Sequence, residues 1–224
     1  MKIFTSNGSE AKVDEMRQRD MGCLICSLPT SPIVKGMKKI ECALDNGAYS
    51  CWLRGFPFMA DVFLSQLTKA YRGGVKLTFI VCPDIVAGGM RSLRFSEEWA
   101  ESEHLGSASN LYLAVQDGMT PNKLKDSIGR FSGLFVGGTK EWKYDTGREW
   151  VEYAHNNGMN CHIGRVGTLE KLKWAHEIGA DSVDSSSFVR NDSWHIVDSF
   201  YRWRDGCNSQ TDMFDEKAEM SAEY

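Results

Sequence analysis

Eight short apolar runs, each closed by a turn rich in glycine or aspartate, constrain this chain more than any other feature. They are KIFTS (2–6), CLICS (23–27), CALD (42–45), KLTFIVC (76–82), LYLAVQ (111–116), GLFVGG (133–138), MNCHIG (159–164) and DSVDS (181–185). Most are nearly continuous in apolar residues rather than alternating, as a parallel sheet covered on both faces requires. Amphipathic segments lie between them, clearest at 59–71, 96–105, 149–156, 168–178 and 194–203, several opened by capping residues such as Thr168, Thr120 and Asn191. The stretch 28–41 is expected to hold little helix. Strand and helix alternating eight times predicts a single-domain (β/α)8 TIM barrel over residues 1–206, because closure leaves no sheet edge. An open doubly wound sheet is the structural competitor. Neither a GxGxxG after the first run nor a GxxxxGK[ST] is present, so phosphate loops of those kinds have no support.

Charge divides the chain. The last thirteen residues carry all of its net charge of −4: Asp212, Asp215, Glu216, Glu219 and Glu223 against Lys217 alone. Residues 207–224 are therefore read as an acidic, flexible tail, and the body as neutral. A neutral body leaves nucleic-acid binding to local basic patches, with Arg91, Arg94, Arg130, Lys140, Lys143, Arg165 and Arg190 as the loop candidates. The opening residues lack the apolar run of a signal peptide, and no stretch approaches the ~20 apolar residues of a membrane span. Seven scattered cysteines, an odd count, predict reduced thiols in a cytoplasmic protein. Cys23 and Cys26 form one CxxC with no second pair, a weak zinc or redox signal. The five histidines (His104, His155, His162, His176, His195) show no HxH or HExxH spacing, so no metal is expected.

In a barrel of this kind the chemistry sits at the carboxyl ends of the strands. The polar residues that end the runs are Asp45-Asn46-Gly47, Pro83-Asp84, Gln116-Asp117-Gly118, Gly137-Gly138, His162 with Gly164-Arg165, and Asp184 with Ser185–Ser187. A lone aspartate at a strand end often caps the next helix or anchors a turn, and Asp117 and Asp181 fit that role equally well. Asp184 resists it: with Val183 facing one side of the last strand, alternation turns Ser182 and Asp184 to the other. Gly137 and Gly138 leave side-chain-free space in which a flat ligand could lie on the backbone, or they serve only as turn glycines.

The strand ends, taken in order, carry a resemblance. ALDNGAYS (43–50), VCPDIV (81–86), LAVQDG (113–118), GLFVGGTKEW (133–142) and IGRVGTLEKLKWAHEIGADSVDSSS (163–187) resemble the tRNA-guanine transglycosylase superfamily. They resemble most its DNA-acting branch, which installs 7-deazaguanine bases and occurs in phages and mobile elements. The resemblance implies that Asp184 attacks the anomeric carbon and that Asp45 is the general acid/base. It also implies that Asp84, Gln116, Gly137 and Gly138 clasp the base edge. Tyr49, close to Asp45, is a candidate to stack on the base, as is Trp52. The implied partners are DNA, single-stranded or locally opened, and a free 7-deazaguanine base, with no cofactor. Zinc-bearing members that act on tRNA carry clustered cysteines and a histidine late in the chain; here only Cys207 stands there, which argues against zinc and canonical tRNA. Arg165 makes the turn after the seventh run one residue longer than the family pattern and is a candidate phosphate ligand.

The chemistry is coherent on its own terms. Cleaving an N-glycosidic bond develops positive charge on the sugar and negative charge on the base, so one carboxylate beneath the sugar and one acid at the base suffice. Three alternatives stay open at this point: an N-glycoside hydrolase, a barrel enzyme holding a substrate phosphate near Gly164–Gly167, and a non-catalytic nucleic-acid-binding barrel.

Overall fold

The computed structural model describes residues 1–125 and 127–206; the acidic tail and Cys207 lie outside them. Eight strands, β1 (Lys2–Ser6), β2 (Gly22–Ile25), β3 (Cys42–Leu44), β4 (Leu77–Val81), β5 (Leu111–Val115), β6 (Gly133–Val136), β7 (Asn160–Ile163) and β8 (Ser182–Asp184), follow the eight apolar runs. All are parallel, and the sheet closes in sequence order, β8 pairing with β1 through Ile3 and Val183. This is a (β/α)8 TIM barrel. One irregularity interrupts the ladder: Cys42 faces Leu77 while Leu44 faces Ile80, so β4 carries a bulge around Thr78.

Around the barrel lie α1 (Glu10–Gln18), α2 (Ala48–Trp52), α3 (Ala60–Arg72), α4 (Met90–Glu101), α5 (Lys140–Asn156), α6 (Leu169–Glu177) and α7 (Ser187–Arg190), then a helix over 194–206. The stretch 28–41 holds only a 3-10 turn, Lys35–Lys39. Two helices begin earlier than their apolar spacing predicts. Helix α4 starts at Met90, just after Gly89 turns at φ +53. Helix α5 starts at Lys140, where the Thr139 hydroxyl accepts the Trp142 N–H. Its interior Gly147 reads as a break, yet it lies under the Trp174 ring of α6; an added Cβ would sit 2.9 Å from that ring. Thr168 caps α6 as expected, its hydroxyl accepting from Lys171 N–H, whereas Thr120 heads only the short turn Pro121–Lys123 without a side-chain cap. No described helix is long and apolar enough to cross a membrane.

Strand parity divides the core in two. Ile3, Cys23, Leu44, Ile80, Leu113, Leu134, Cys161 and Val183 face outward beneath the helices. Phe4, Leu24, Ala43, Phe79, Val81, Tyr112, Ala114 and Phe135 fill the lumen. The lumen is largely an aromatic plug: Phe79 stacks on Tyr112 at 4.3 Å, Phe135 stacks on His162 at 4.8 Å, and Phe4 meets Phe79 edge-on. Rings need room, and two inward glycines give it. A Cβ on Gly22 would stand 2.4 Å from the Phe4 ring, and one on Gly133 would stand 2.4 Å from the Tyr112 ring. Gly133→Ala should therefore lower stability by about 1–3 kcal/mol through overpacking. Chemical denaturation measures this, and an unchanged midpoint would contradict the packing described.

Candidate active site

The same parity builds the mouth. Two residues beyond the inward side chains Ala43, Ala114, Phe135 and His162 come Asp45, Gln116, Gly137 and Gly164, all at the carboxyl rim of the lumen. Asp184 ends β8, with Ser182 below it on the same inward side and Val183 outward, as alternation requires.

Asp184 is held from two directions. His162 Nε2 lies 3.0 Å from its Oδ1, and the Arg165 backbone N–H donates to the same oxygen at 3.3 Å. A carboxylate only accepts, so Nε2 donates to it, and Nδ1 lies 2.8 Å from the Ser182 hydroxyl. The His162 side chain is fully buried and stacked on Phe135, while Asp184 keeps 13% of its side chain exposed. The plug thus fixes an imidazole, and the imidazole aims a carboxylate at the opening. The sequence marks His162 as a polar residue near a strand end, but not as the side chain that positions Asp184. That contact follows from its place opposite Ser182 in neighbouring strands, visible once the β7–β8 register is known.

Asp45 sits across the mouth in a turn that demands glycine. Gly47 has φ +81, and a Cβ there would lie 2.6 Å from the Ser27 carbonyl. Ser27 also donates its hydroxyl to the Asp45 carbonyl. Burial pushes the Asp45 carboxyl up to about 7, and the negative charges of Asp184 and Asp84 push the same way, against backbone N–H groups of Gly47 and Asn46. The two aspartates therefore share one electrostatic environment. Asp84 is raised to about 6 by burial, opposed by hydrogen bonds from Asn46 and Gln116.

Asn46 and Gln116 hold Asp84 in place. Asn46 Nδ2 donates to Asp84 Oδ1 and to the Cys82 carbonyl, both at 2.8 Å, and its Oδ1 accepts from Ala48 N–H. Gln116 Nε2 lies within 3.2 Å of Asp84 Oδ2, the Ile85 carbonyl and the Ser92 hydroxyl, and its Oε1 accepts from Gly88 N–H. The Gln116 amide is thus spent inside the β4–α4 loop and turned toward Asp84 rather than toward open space.

The glycines differ in what they do. A Cβ on Gly137 would meet only the Val115 carbonyl, at 3.4 Å, so this stretch of wall is open. Gly138 has φ +70, and a Cβ there would collide with Asp117 and Trp142; it is a turn glycine. Gly164, on the next strand, would place a Cβ against the Phe135 ring and 3.4 Å from Asp184. The wall is therefore open at Gly137, whereas at Gly164 the Phe135 ring already takes the space.

Tyr49 is part-exposed at the rim and stacked with Trp52, ring centroids 5.9 Å apart. The Arg165 guanidinium lies over the Tyr49 ring at 4.5 Å and donates to the Gly138 carbonyl. Arg165 itself has φ +62, a left-handed backbone that L side chains rarely adopt. Asp117 and Asp181 are anchors: Asp117 accepts from the Thr139 N–H and hydroxyl, and Asp181 accepts from Cys161 N–H and pairs with His155. Arg130 turns away to the Ala100 and Gly106 carbonyls.

Among the described residues no group of three or more His, Cys, Asp or Glu side chains is placed to hold a metal ion. Cys23 and Cys26 do not bond each other; Cys23 lies against Cys42, and burial raises the Cys26 thiol to about 12. A cleft of about 950 Å³ opens at the opposite end of the barrel, where Lys2, Lys38, Lys76 and Asn110 line it. Position outweighs size here, because barrel chemistry gathers at the carboxyl end. No protein-family model matches the chain, and a search of the curated proteins finds no match.

Folded Asp45 keeps its proton to about pH 7, whereas its ordinary value is 3.8. Between those values the folded state holds the extra proton, so stability falls as pH rises through the window and stays lower above it. Asp45→Asn should therefore stabilise the protein at pH 8, by about 2 kcal/mol after allowance for solvent at the mouth. Near pH 4 the gain should vanish. Thermal melts at the two pH values check both halves.

Proposed function

We propose that this barrel is a base-exchanging transglycosylase of the tRNA-guanine transglycosylase type, replacing guanine in DNA with a 7-deazaguanine derivative. The observation that carries the reading is the pair of unlike carboxyl groups at one mouth. Asp184 is fixed by the buried His162 and a backbone N–H, while Asp45 is enclosed and raised to about 7. Carboxyl groups whose surroundings drive them into different roles are what a nucleophile and a general acid need.

In the first half-reaction an Asp184 oxygen bonds to C1′ of the target deoxyguanosine. The C1′–N9 bond breaks, its electron pair passes to the base, and Asp45 gives the base its proton. In the second half the incoming deazaguanine gives a proton to the Asp45 carboxylate and its nitrogen bonds to C1′. The ester bond breaks and its electron pair returns to Asp184. One base replaces another with nothing consumed. His162 holds Asp184 beneath the sugar, and the open wall at Gly137 receives a flat ring. Asp84, oriented by Gln116 and Asn46, faces the ring's polar edge, and Tyr49 stacks on it. Duplex DNA reaches such a site by flipping the nucleotide out, so unpaired or locally opened DNA is the better substrate. The partners on this reading are DNA and a free deazapurine in the cytoplasm.

DNA incubated with the protein and labelled guanine, 7-cyano- or 7-aminomethyl-7-deazaguanine should take up label. Asp184→Ala should abolish incorporation, and Asp45→Asn should slow it by about 10²–10⁴-fold. The wild-type rate should fall as pH rises past about 7, where Asp45 loses the proton it donates. Release of guanine without incorporation of any acceptor would identify a hydrolase instead. Absence of both release and incorporation in every DNA form would overturn the proposal.

A further inference from the structure

Beside the mouth, between α5 and α6, lies a second cavity of about 190 Å³. Four cationic residues line it, Lys140 and Lys143 from α5, Arg165 from the β7–α6 turn and Lys171 from α6, with Tyr144 and Trp174 as apolar walls. No carboxylate-bearing residue lines it. Three of the four were loop-cation candidates in the sequence or stand next to one, and folding brings them to one place.

Lys143 is the telling member. It is only 6% exposed, and its Nζ donates to the Gly164 carbonyl at 2.5 Å. An ammonium has three protons to give, and among the described residues the Gly164 backbone carbonyl is the one hydrogen-bond acceptor that Lys143 Nζ meets. Burial lowers Lys143 to about 7; Arg165 and Lys171 add to the lowering, and Asp184 and Asp117 oppose it. Burying an amine among cations is costly, and a ligand of opposite charge removes the cost by accepting the remaining protons and neutralising its neighbours. Lys171 stands in the first turn of α6, where the helix end already favours an anion and disfavours a cation. The cavity is also tied to the carboxylate site, because the same Arg165 that lines it donates its backbone N–H to Asp184.

We propose that this cavity binds a phosphate group, with Lys143 at its base and Lys140, Lys171 and Arg165 around it. On the transglycosylase reading, on which only the identity of the ester rests, the group is a backbone phosphate of the nucleotide whose sugar lies over Asp184. Free inorganic phosphate has the same chemistry.

Calorimetric titration of the full chain with sulfate, whose charge does not change over the range used, tests the cavity. One sulfate should bind per chain, more tightly at pH 6 than at pH 8, since Lys143 must be protonated to hold it. Lys143→Met should weaken binding by about tenfold or more, as loss of a charged hydrogen bond does. Lys171→Met should weaken it less, and Lys143→Arg should retain part of it. Circular dichroism checks that each variant folds, and Lys171→Met carries the test should Lys143→Met fail to. Titration with deoxyguanosine, its 5′-monophosphate and inorganic phosphate separates the sources. A nucleotide that gains over the nucleoside only when Lys143 is present points to the ester; inorganic phosphate binding more tightly than the nucleotide points to the free ion. Absence of saturable sulfate binding, or wild-type affinity in folded Lys143→Met and Lys171→Met, overturns the proposal. Sulfate binding that depends on Lys143, in a protein that never incorporates base into DNA, would leave the cavity standing and remove the transglycosylase reading alone.

Discussion

A parallel sheet with no edge fixes which way every side chain points. Once β8 pairs with β1, each strand's register is set by both of its neighbours, and a slip of one residue would turn its apolar set out of place. The inward positions form a column of rings from Phe4 and Tyr112 up to Phe135 and His162. The residues above that column, Asp45, Gln116, Gly137, Gly164 and Asp184, are at the mouth because the pairing leaves them nowhere else to point. Loops shape the rim, but strand parity chooses what looks into it.

The mouth is built against stability. Asp45 and Asp84 are enclosed carboxyl groups raised by burial, and Lys143 is an enclosed amine lowered by it. Each would cost less if replaced by a neutral residue of similar shape, and the apolar core beneath must offset that cost. The signs are informative. Acids raised and a base lowered bring three groups into the range where protons move near neutral pH, two at the mouth and one in the cavity beside it. The hydrogen bonds from Asn46 and Gln116 keep Asp84 from rising further, so its neighbours tune the effect as well as aim the group.

Much of this was legible in the chain. Apolar runs mark all eight strands to within a residue or two, because strands buried on both faces carry few polar interruptions. The aspartates that end those runs stand at the mouth for the same reason. Helix starts were less legible. Lys140–Arg148 is polar and contains Gly147, so α5 reads as loop until Trp174 is seen to need the space. His162 could not be recognised from its own strand, where alternation gives two faces but not which is inside; its partners Ser182 and Asp184 lie twenty or more residues on. Gln116 was legible as a polar strand end but not as a residue turned toward Asp84. Lys143 was visible as a cation, while its burial depends on α6 packing over it.

The aromatic plug has one more consequence. Because Asp184 is aimed by an imidazole that is itself stacked into the lumen, the carboxylate and the hydrophobic filling are one mechanical unit. The β7–α6 turn belongs to that unit too, because the Arg165 N–H holds the same carboxylate oxygen as the imidazole. A change in ring size within the lumen therefore bears on the carboxylate above it as directly as a change in that turn does.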